Sequence, residues 1–253
     1  MWKALTTDSI LPYALLGMTT VTGLVDAVSF LSFGHVFTAN MTGNIVLLAF
    51  ASTGVPQVSL ARSITALLGF LAGAAVGGRI MAGASAVVQL RAASSVFALE
   101  IVFLVGATLA ALGYSVVSSP HFLRLYAMIA FTAIAMGMRN AALRKLAVPD
   151  LTTTVLTLTI TGLAADSSLA RGTNPRLQRR IAAVVAMFAG AALGSITLRH
   201  SVFMALAFSV ALSSLCSLAL LISSRLPCAR TQKRNRSSLI DVSRESTKFT
   251  ESS

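Results

Sequence analysis

Charge is scarce in this sequence. Only 11% of its 253 residues are Asp, Glu, Lys or Arg, the acids number 8, and 55% of the chain is hydrophobic, with a mean hydropathy of +0.80. So few ionisable groups cannot clothe a water-facing globule, which excludes an ordinary soluble domain. Cysteine is nearly missing as well: Cys216 lies in an apolar run and Cys228 in a basic tail, a spacing that offers no disulfide framework, zinc site or redox pair. His35, His121 and His200 stand singly at the ends of apolar runs and supply no metal-ligand set. No G-x-S-x-G, H-E-x-x-H, Walker A or Rossmann pattern occurs, so nothing here points to an enzyme, a metal or a cofactor.

What is present in quantity is apolar sequence in long windows, at 11–33, 37–55, 63–83, 96–117, 122–143, 152–165, 181–198 and 202–223. Several approach the roughly 20 residues a spanning helix needs. The chain therefore reads as an all-α, polytopic transmembrane helical bundle whose first partner is the lipid bilayer. A cleaved signal peptide is the rival reading of the first window, since Lys3 precedes it, but the window is too long and no small-x-small cleavage site follows. The net charge of +12 gathers in short loops and in the tail, at Arg225, Arg230, Lys233, Arg234 and Arg236. That placement is a topology signal and not a nucleic-acid footprint.

Two windows are unlike the others. Phe37 to Val55 opens with Thr38, Asn40, Thr42, Gly43 and Asn44, and Leu151 to Ala165 is short and threonine-rich, with Thr154 among its hydroxyls. Stiff, back-bonding threonines and amides suit broken or re-entrant helices beside a polar space. The two windows hold matching places in the halves of the chain. Gly23, Asp26, Ala27 and Thr38 fall opposite Gly137, Asn140, Ala141 and Thr152; further on, Arg62, Ile64, Gly73 and Gly77 fall opposite Arg179, Ile181, Gly190 and Gly194. The match predicts two membrane repeats, 11–117 and 118–223, after a cytoplasmic N-terminus 1–10 and before a disordered basic cytoplasmic tail 224–253.

Charge placement decides the number of crossings. If every window spans, Arg79, Arg91, Arg139, Arg144 and Lys145 lie opposite Arg62, Arg124 and the cluster Arg171, Arg176, Arg179 and Arg180, against the positive-inside rule. If the two polar windows enter and leave on one side, about six full spans remain, both termini are cytoplasmic, and mainly Arg62, Arg124 and Arg199 are left outside. Three crossings per half make the second half an inverted copy of the first, an architecture common among secondary transporters.

Asp26 stands between Leu24, Val25, Ala27 and Val28, where an ionised carboxyl costs about 2.5–3.5 kcal/mol unless it meets a polar cavity, a cation or a proton. It is a candidate proton or cation site, or else a structural tie to a neighbouring amide or hydroxyl. The run Gly34–Asn44 offers unwound backbone for a cation or a small polar solute; the alternative is a surface turn. Arg139 and Asn140 lie near the end of the fifth window. Arg139 reads first as snorkelling to lipid headgroups, with an anionic substrate or Asp26 as other partners. Glu100 and Asp166 sit at window ends and suggest headgroup positions. Gly69, Gly73 and Gly77, with Gly190 and Gly194, recur four apart and predict close helix packing, inside the chain or between copies in a homo-oligomer.

The segment Gly23 to Asn44, G-L-V-D-A-V-S-F-L-S-F-G-H-V-F-T-A-N-M-T-G-N, resembles the YoaK family of bacterial integral membrane proteins, and Gly137–Asp166 and Ile181–Ile196 fit that family's second half. The resemblance implies about six transmembrane helices in a bacterial inner membrane. It brings no substrate, cofactor or catalytic residue, so Asp26, Asn40, Thr42, Gly43 and Asn44 are motif positions. The functional expectation is a secondary transporter or permease for a small solute, proton- or cation-coupled; the alternative is a non-transporting scaffold that packs against partners or lipids.

Overall fold

The computed structural model describes residues 10–83, 89–114, 122–146, 156–174 and 176–225. Among the described residues eight α-helices follow one another: α1 (Ile10–Ser32), α2 (Met41–Ser52), α3 (Leu60–Ala82), α4 (Gln89–Ala110), α5 (Phe122–Leu146), α6 (Leu156–Ala165), α7 (Leu177–Leu198) and α8 (Val202–Arg225), with a short 3-10 turn at Ser168–Ala170. Six of them, all but α2 and α6, are long and apolar enough to cross a membrane. The 12 residues of α2 rise only about 18 Å, well short of a hydrocarbon core of about 30 Å. The window 37–55 is thus a broken segment and not a crossing.

Several helices outrun their apolar windows. α3 begins at Leu60, α4 at Gln89 and α7 at Leu177, taking in Arg62, Arg91, Arg179 and Arg180. Backbone hydrogen bonding does not stop where apolar sequence stops, and arginine and glutamine are good helix formers, so the ends extend into the polar interface. Within the spans, hydroxyls are satisfied by the turn before them: Thr19 donates to the Leu15 carbonyl at 3.0 Å, Thr22 to Met18 at 3.0 Å and Thr108 to Leu104 at 2.8 Å. This is how a threonine-bearing helix survives where no water can reach.

Helix direction follows from two core clusters. One joins Leu11 of α1, Met81 of α3, Ala93 of α4, Leu146 of α5, Ala183 of α7 and Leu220 of α8; it marks the first face. The other joins Phe33, Ala66, Ala107, Leu125 and Val202, with Leu198 against it, and marks the second. So α1, α4 and α7 run from the first face to the second, and α3, α5 and α8 run back. The start of α1 and the end of α8 share the first face. Gly34, at a φ of 84° just past α1, lies against the Arg62 guanidinium at the start of α3, so the segment carrying α2 leaves and returns at the second face. The chain between α5 and α7, which carries α6, leaves and returns at the first.

The most intimate packing is between distant parts of the chain. α1 packs along α7, and α3 along α5. On α1, a Cβ at Gly23 would collide with the Met187 carbonyl and lie 3.1 Å from the Ala191 nitrogen; on α5, a Cβ at Gly137 would collide with the Phe70 carbonyl and lie 2.9 Å from the Ala74 nitrogen. The opposing helices answer in kind. Gly73 abuts the Ile134 carbonyl and Gly190 the Thr20 carbonyl, while Cβ atoms at Gly77 and Gly194 would come within 2.9 Å of the Met138 carbonyl and 2.8 Å of the Leu24 carbonyl. Gly69 faces Ala130 and Ala133 more loosely, at 3.2–3.3 Å. The glycine faces therefore meet within one chain, backbone against backbone.

Candidate functional site

Among the described residues two polar centres lie inside the bundle. The first is organised by Asp26, a buried residue six positions before the end of α1 and hence about 9 Å in from it. Left-handed residues Gly34 and His35 (φ 84° and 58°) end α1 and turn the chain back along it. The returning backbone places the Thr38 and Ala39 N–H groups 3.3 and 2.9 Å from Asp26 Oδ1. Asn44, the single buried residue of α2, clamps Phe37 from the other side: its Oδ1 accepts the Phe37 N–H at 2.9 Å and its Nδ2 donates to the Phe37 carbonyl at 2.5 Å. Asn40 caps α2 by accepting the Gly43 N–H at 3.3 Å. The Phe37 ring stacks on Phe30, with centroids 4.9 Å apart, and sits so close to Gly43 that a Cβ there would lie 2.9 Å from it.

Side chains thus do for this unwound segment what a helix would otherwise do for its own backbone. Of the expected residues Thr42 stands apart, exposed on α2, while the Asn40 side chain is exposed at its cap and its backbone N–H joins those of Thr38 and Ala39 at Asp26. The Thr38 hydroxyl is buried beside Asp26 and has no hydrogen-bond partner.

The second centre is at Arg139. The side chain is fully buried, so it does not snorkel. α5 continues to Leu146, which sets Arg139 two turns before the helix end, with its guanidinium turned inward to Glu100 and Ser213. Its partner is Glu100, not Asp26. Nε donates to Glu100 Oε2 at 3.0 Å and Nη2 to Oε1; Nη2 also meets Ser213 Oγ at 3.1 Å, and Nη1 meets the Met18 carbonyl at 2.9 Å and Thr22 Oγ1 at 3.3 Å. Ser213 Oγ in turn donates to Glu100 Oε1 at 2.8 Å. The pair ties α1, α4, α5 and α8 together, and Glu100 is likewise fully buried, three turns into α4. Two unit charges removed from water persist only when paired and hydrogen-bonded this completely.

Asn140 is buried next to Arg139 and donates to the Met136 carbonyl at 2.8 Å. Thr154 lies outside the described residues, as do Thr152, His121 and 226–253 of the tail. Asp166 is a partner of Arg180, whose Nη1 is 2.7 Å from Asp166 Oδ2 and 2.7 Å from the Gly162 carbonyl, fastening α6 to the start of α7. Among the described residues no three His, Cys, Asp or Glu side chains converge as a metal site.

Residues 14–219 match the family described as protein of unknown function DUF1275. Over 146 residues the chain is 37% identical to the UPF0700 transmembrane protein YoaK of Bacillus subtilis (strain 168), an alignment covering 58% of this chain; the chain spans about 62% of the length of that curated relative. No solved structure matches. With six helices able to cross a bilayer and a family match over most of its length, the chain is an integral membrane protein of the YoaK/DUF1275 family.

Proposed function

We propose that this protein is a secondary transporter for a small solute, built as an inverted repeat of 11–117 and 118–223 in the bacterial inner membrane, with no enzymatic activity. The observation that carries the reading is the reciprocal helix exchange. Gly23 on α1 meets Met187 and Ala191 on α7 just as Gly137 on α5 meets Phe70 and Ala74 on α3, and α1 and α5 run in opposite directions. Equivalent contacts between antiparallel elements are what a two-fold axis in the membrane plane produces. The short helices support it: each returns to the face it left, α2 on the second and α6 on the first. Arg79, Arg91, Arg144, Lys145, Arg171, Arg176, Arg179 and Arg180 belong to the first face, while Arg62, Arg124 and Arg199 belong to the second. The first face, with both termini, is cytoplasmic on this reading.

Asp26 acts as the gating carboxyl. As an anion it holds the Thr38 and Ala39 N–H groups and keeps the segment before α2 folded against α1; neutralised by a proton or a cation, it loosens that hold. The test is solute and proton flux in proteoliposomes across sugars, amino acids, carboxylates, cations and polyols, with Asp26→Asn beside the parent. Flux of one solute class that Asp26→Asn abolishes or uncouples is expected. Absence of any flux, with an unaltered cellular phenotype in Asp26→Asn, sinks the proposal. A non-transporting scaffold is the second reading, favoured by the complete hydrogen bonding around Arg139 and by the exposed apolar side chains of α7, Val185 and Phe188 among them.

A further inference from the structure

Arginine has five N–H donors, and the five hydrogen bonds made by Arg139 reach Glu100, Ser213, Thr22 and the Met18 carbonyl. Its fork faces the Glu100 carboxylate edge to edge, a geometry that any small carboxylate or other oxyanion reproduces. The pair stands where α1, α4, α5 and α8 meet, the junction of the two proposed halves and the place where transporters of that build bind their solutes. Ser209, Ser213 and Ser217 follow at four-residue spacing along one side of α8, and all are buried. The Ser217 hydroxyl, one turn beyond the Ser213 that bonds both charges, has no hydrogen-bond partner. The site is thus an arginine fork filled by an internal carboxylate, with an uncommitted buried hydroxyl one turn along α8 from Ser213.

We infer that Arg139 is the solute-binding cation of this protein, that Glu100 is its resident surrogate, and that the solute is a small oxyanion, a short carboxylate, carried together with a proton. The inference rests on the transport reading above and names its solute class. The exchange balances. An aqueous proton bonds to a Glu100 oxygen, the neutral carboxyl leaves the fork, and the incoming monoanion takes its two hydrogen bonds from Nε and Nη2. The charge at the site stays at zero, so a buried arginine is never left alone, and proton and anion depart together on the other face.

The groups around Glu100 are consistent with this. α5 presents Arg139, α8 presents Ser213 and the thiol of Cys216, which lies within electrostatic reach of both charges, and α1 presents Thr22. The acid of α1, Asp26, is committed to Thr38 and Ala39, and the charged residues of α3, Arg62 and Arg79, lie near its ends.

The experiment uses the purified full chain with L-lactate, pyruvate, succinate and inorganic phosphate as probes, reading ligand-induced thermal stabilisation and counterflow in liposomes. Because each anion brings one proton, the apparent Kd of the bound carboxylate should rise about tenfold per pH unit from about pH 6 to about pH 8. In Glu100→Gln, which can still accept from Nη2 and Ser213, the dependence should vanish and binding at the upper pH should tighten. The double variant Glu100→Met/Arg139→Met removes both charges, should fold, and should bind none of the anions. A purely structural pair would give no anion stabilisation or the same pH dependence in Glu100→Gln, and either result overturns the assignment. Transport of a neutral solute or a metal cation with no oxyanion binding overturns it while leaving transport intact, as does full oxyanion transport by the double variant. No flux of any solute removes the transport reading, and this inference with it.

Discussion

Replacing Gly73 or Gly190 by alanine should destabilise the bundle by about the same amount, because each adds a methyl where an opposing backbone carbonyl already stands. At Gly73 the obstacle is Ile134, at Gly190 it is Thr20, and neither is the movable end of a side chain. Relief requires the helix pair to separate. Overpacking of this kind costs about 1–3 kcal/mol, and the rigid neighbour argues for the upper end. Alanine recovers about 1 kcal/mol of helix propensity over glycine, leaving a net loss of about 2 kcal/mol. Gly78 supplies the control within α3, since a Cβ there meets nothing within 4 Å; Gly78→Ala should be stabilised by about 1 kcal/mol. The gap between Gly73→Ala and Gly78→Ala is then about 3 kcal/mol, easily read in an SDS unfolding titration followed by far-ultraviolet circular dichroism. Gly73 and Gly190 share no contact, so the double variant should lose the sum. If either alanine variant at these two positions proves as stable as Gly78→Ala, the helices do not approach as closely as described and the exchange between halves fails.

Single removal of either charge from the central pair, in Arg139→Met or Glu100→Met, should cost about 3–5 kcal/mol in the same titration, while the double variant should come back close to the parent. A double variant as unstable as the two singles summed would contradict a buried, mutually compensated pair. Asn44→Ala strips partners from the buried Phe37 N–H and carbonyl, for a loss of about 1–3 kcal/mol and faster hydrogen exchange over residues 36–40; unchanged exchange would mean that Asn44 is no clamp. In a background without Cys216 and Cys228, Thr42→Cys should react with an impermeant maleimide only from the periplasm and Thr161→Cys only from the cytoplasm. Labelling of both from one side would defeat the inverted arrangement.

The hydrophobic windows made the helices legible, and the charge between them separated the two short ones from the six long ones. The loop-to-Asp26 contact was legible only in outline. An acid inside α1 followed by a polar run announces that something must satisfy both, but the turn-back at Gly34 and His35 that delivers Thr38 and Ala39 to the carboxylate depends on two left-handed residues. Glycine at the first of these is a common signal, and histidine at the second is not. The Arg139–Glu100 pair was missed because its members are 39 positions apart and each had a bland local reading. The apolar window starting at residue 96 put Glu100 at a membrane boundary. α4 in fact starts at Gln89, since Arg91, Ala92 and Ala93 sustain a helix as well as the apolar residues do, and Glu100 is three turns inside it. Carrying that helix back past its apolar stretch would have left one acid and one base at mid-depth, each in need of the other.

Because α1 closes on α7, its partner is synthesised almost last. At about 5–20 residues per second, the interval between the emergence of Gly23 and that of Gly190 is on the order of ten seconds. For that time α1 waits in the bilayer with its glycine side open to lipid or to other nascent chains, whereas α3 finds α5 much sooner. The order of insertion therefore has a built-in vulnerable period, and cutting the gene between the halves should give two fragments that accumulate only when made together in the same cell.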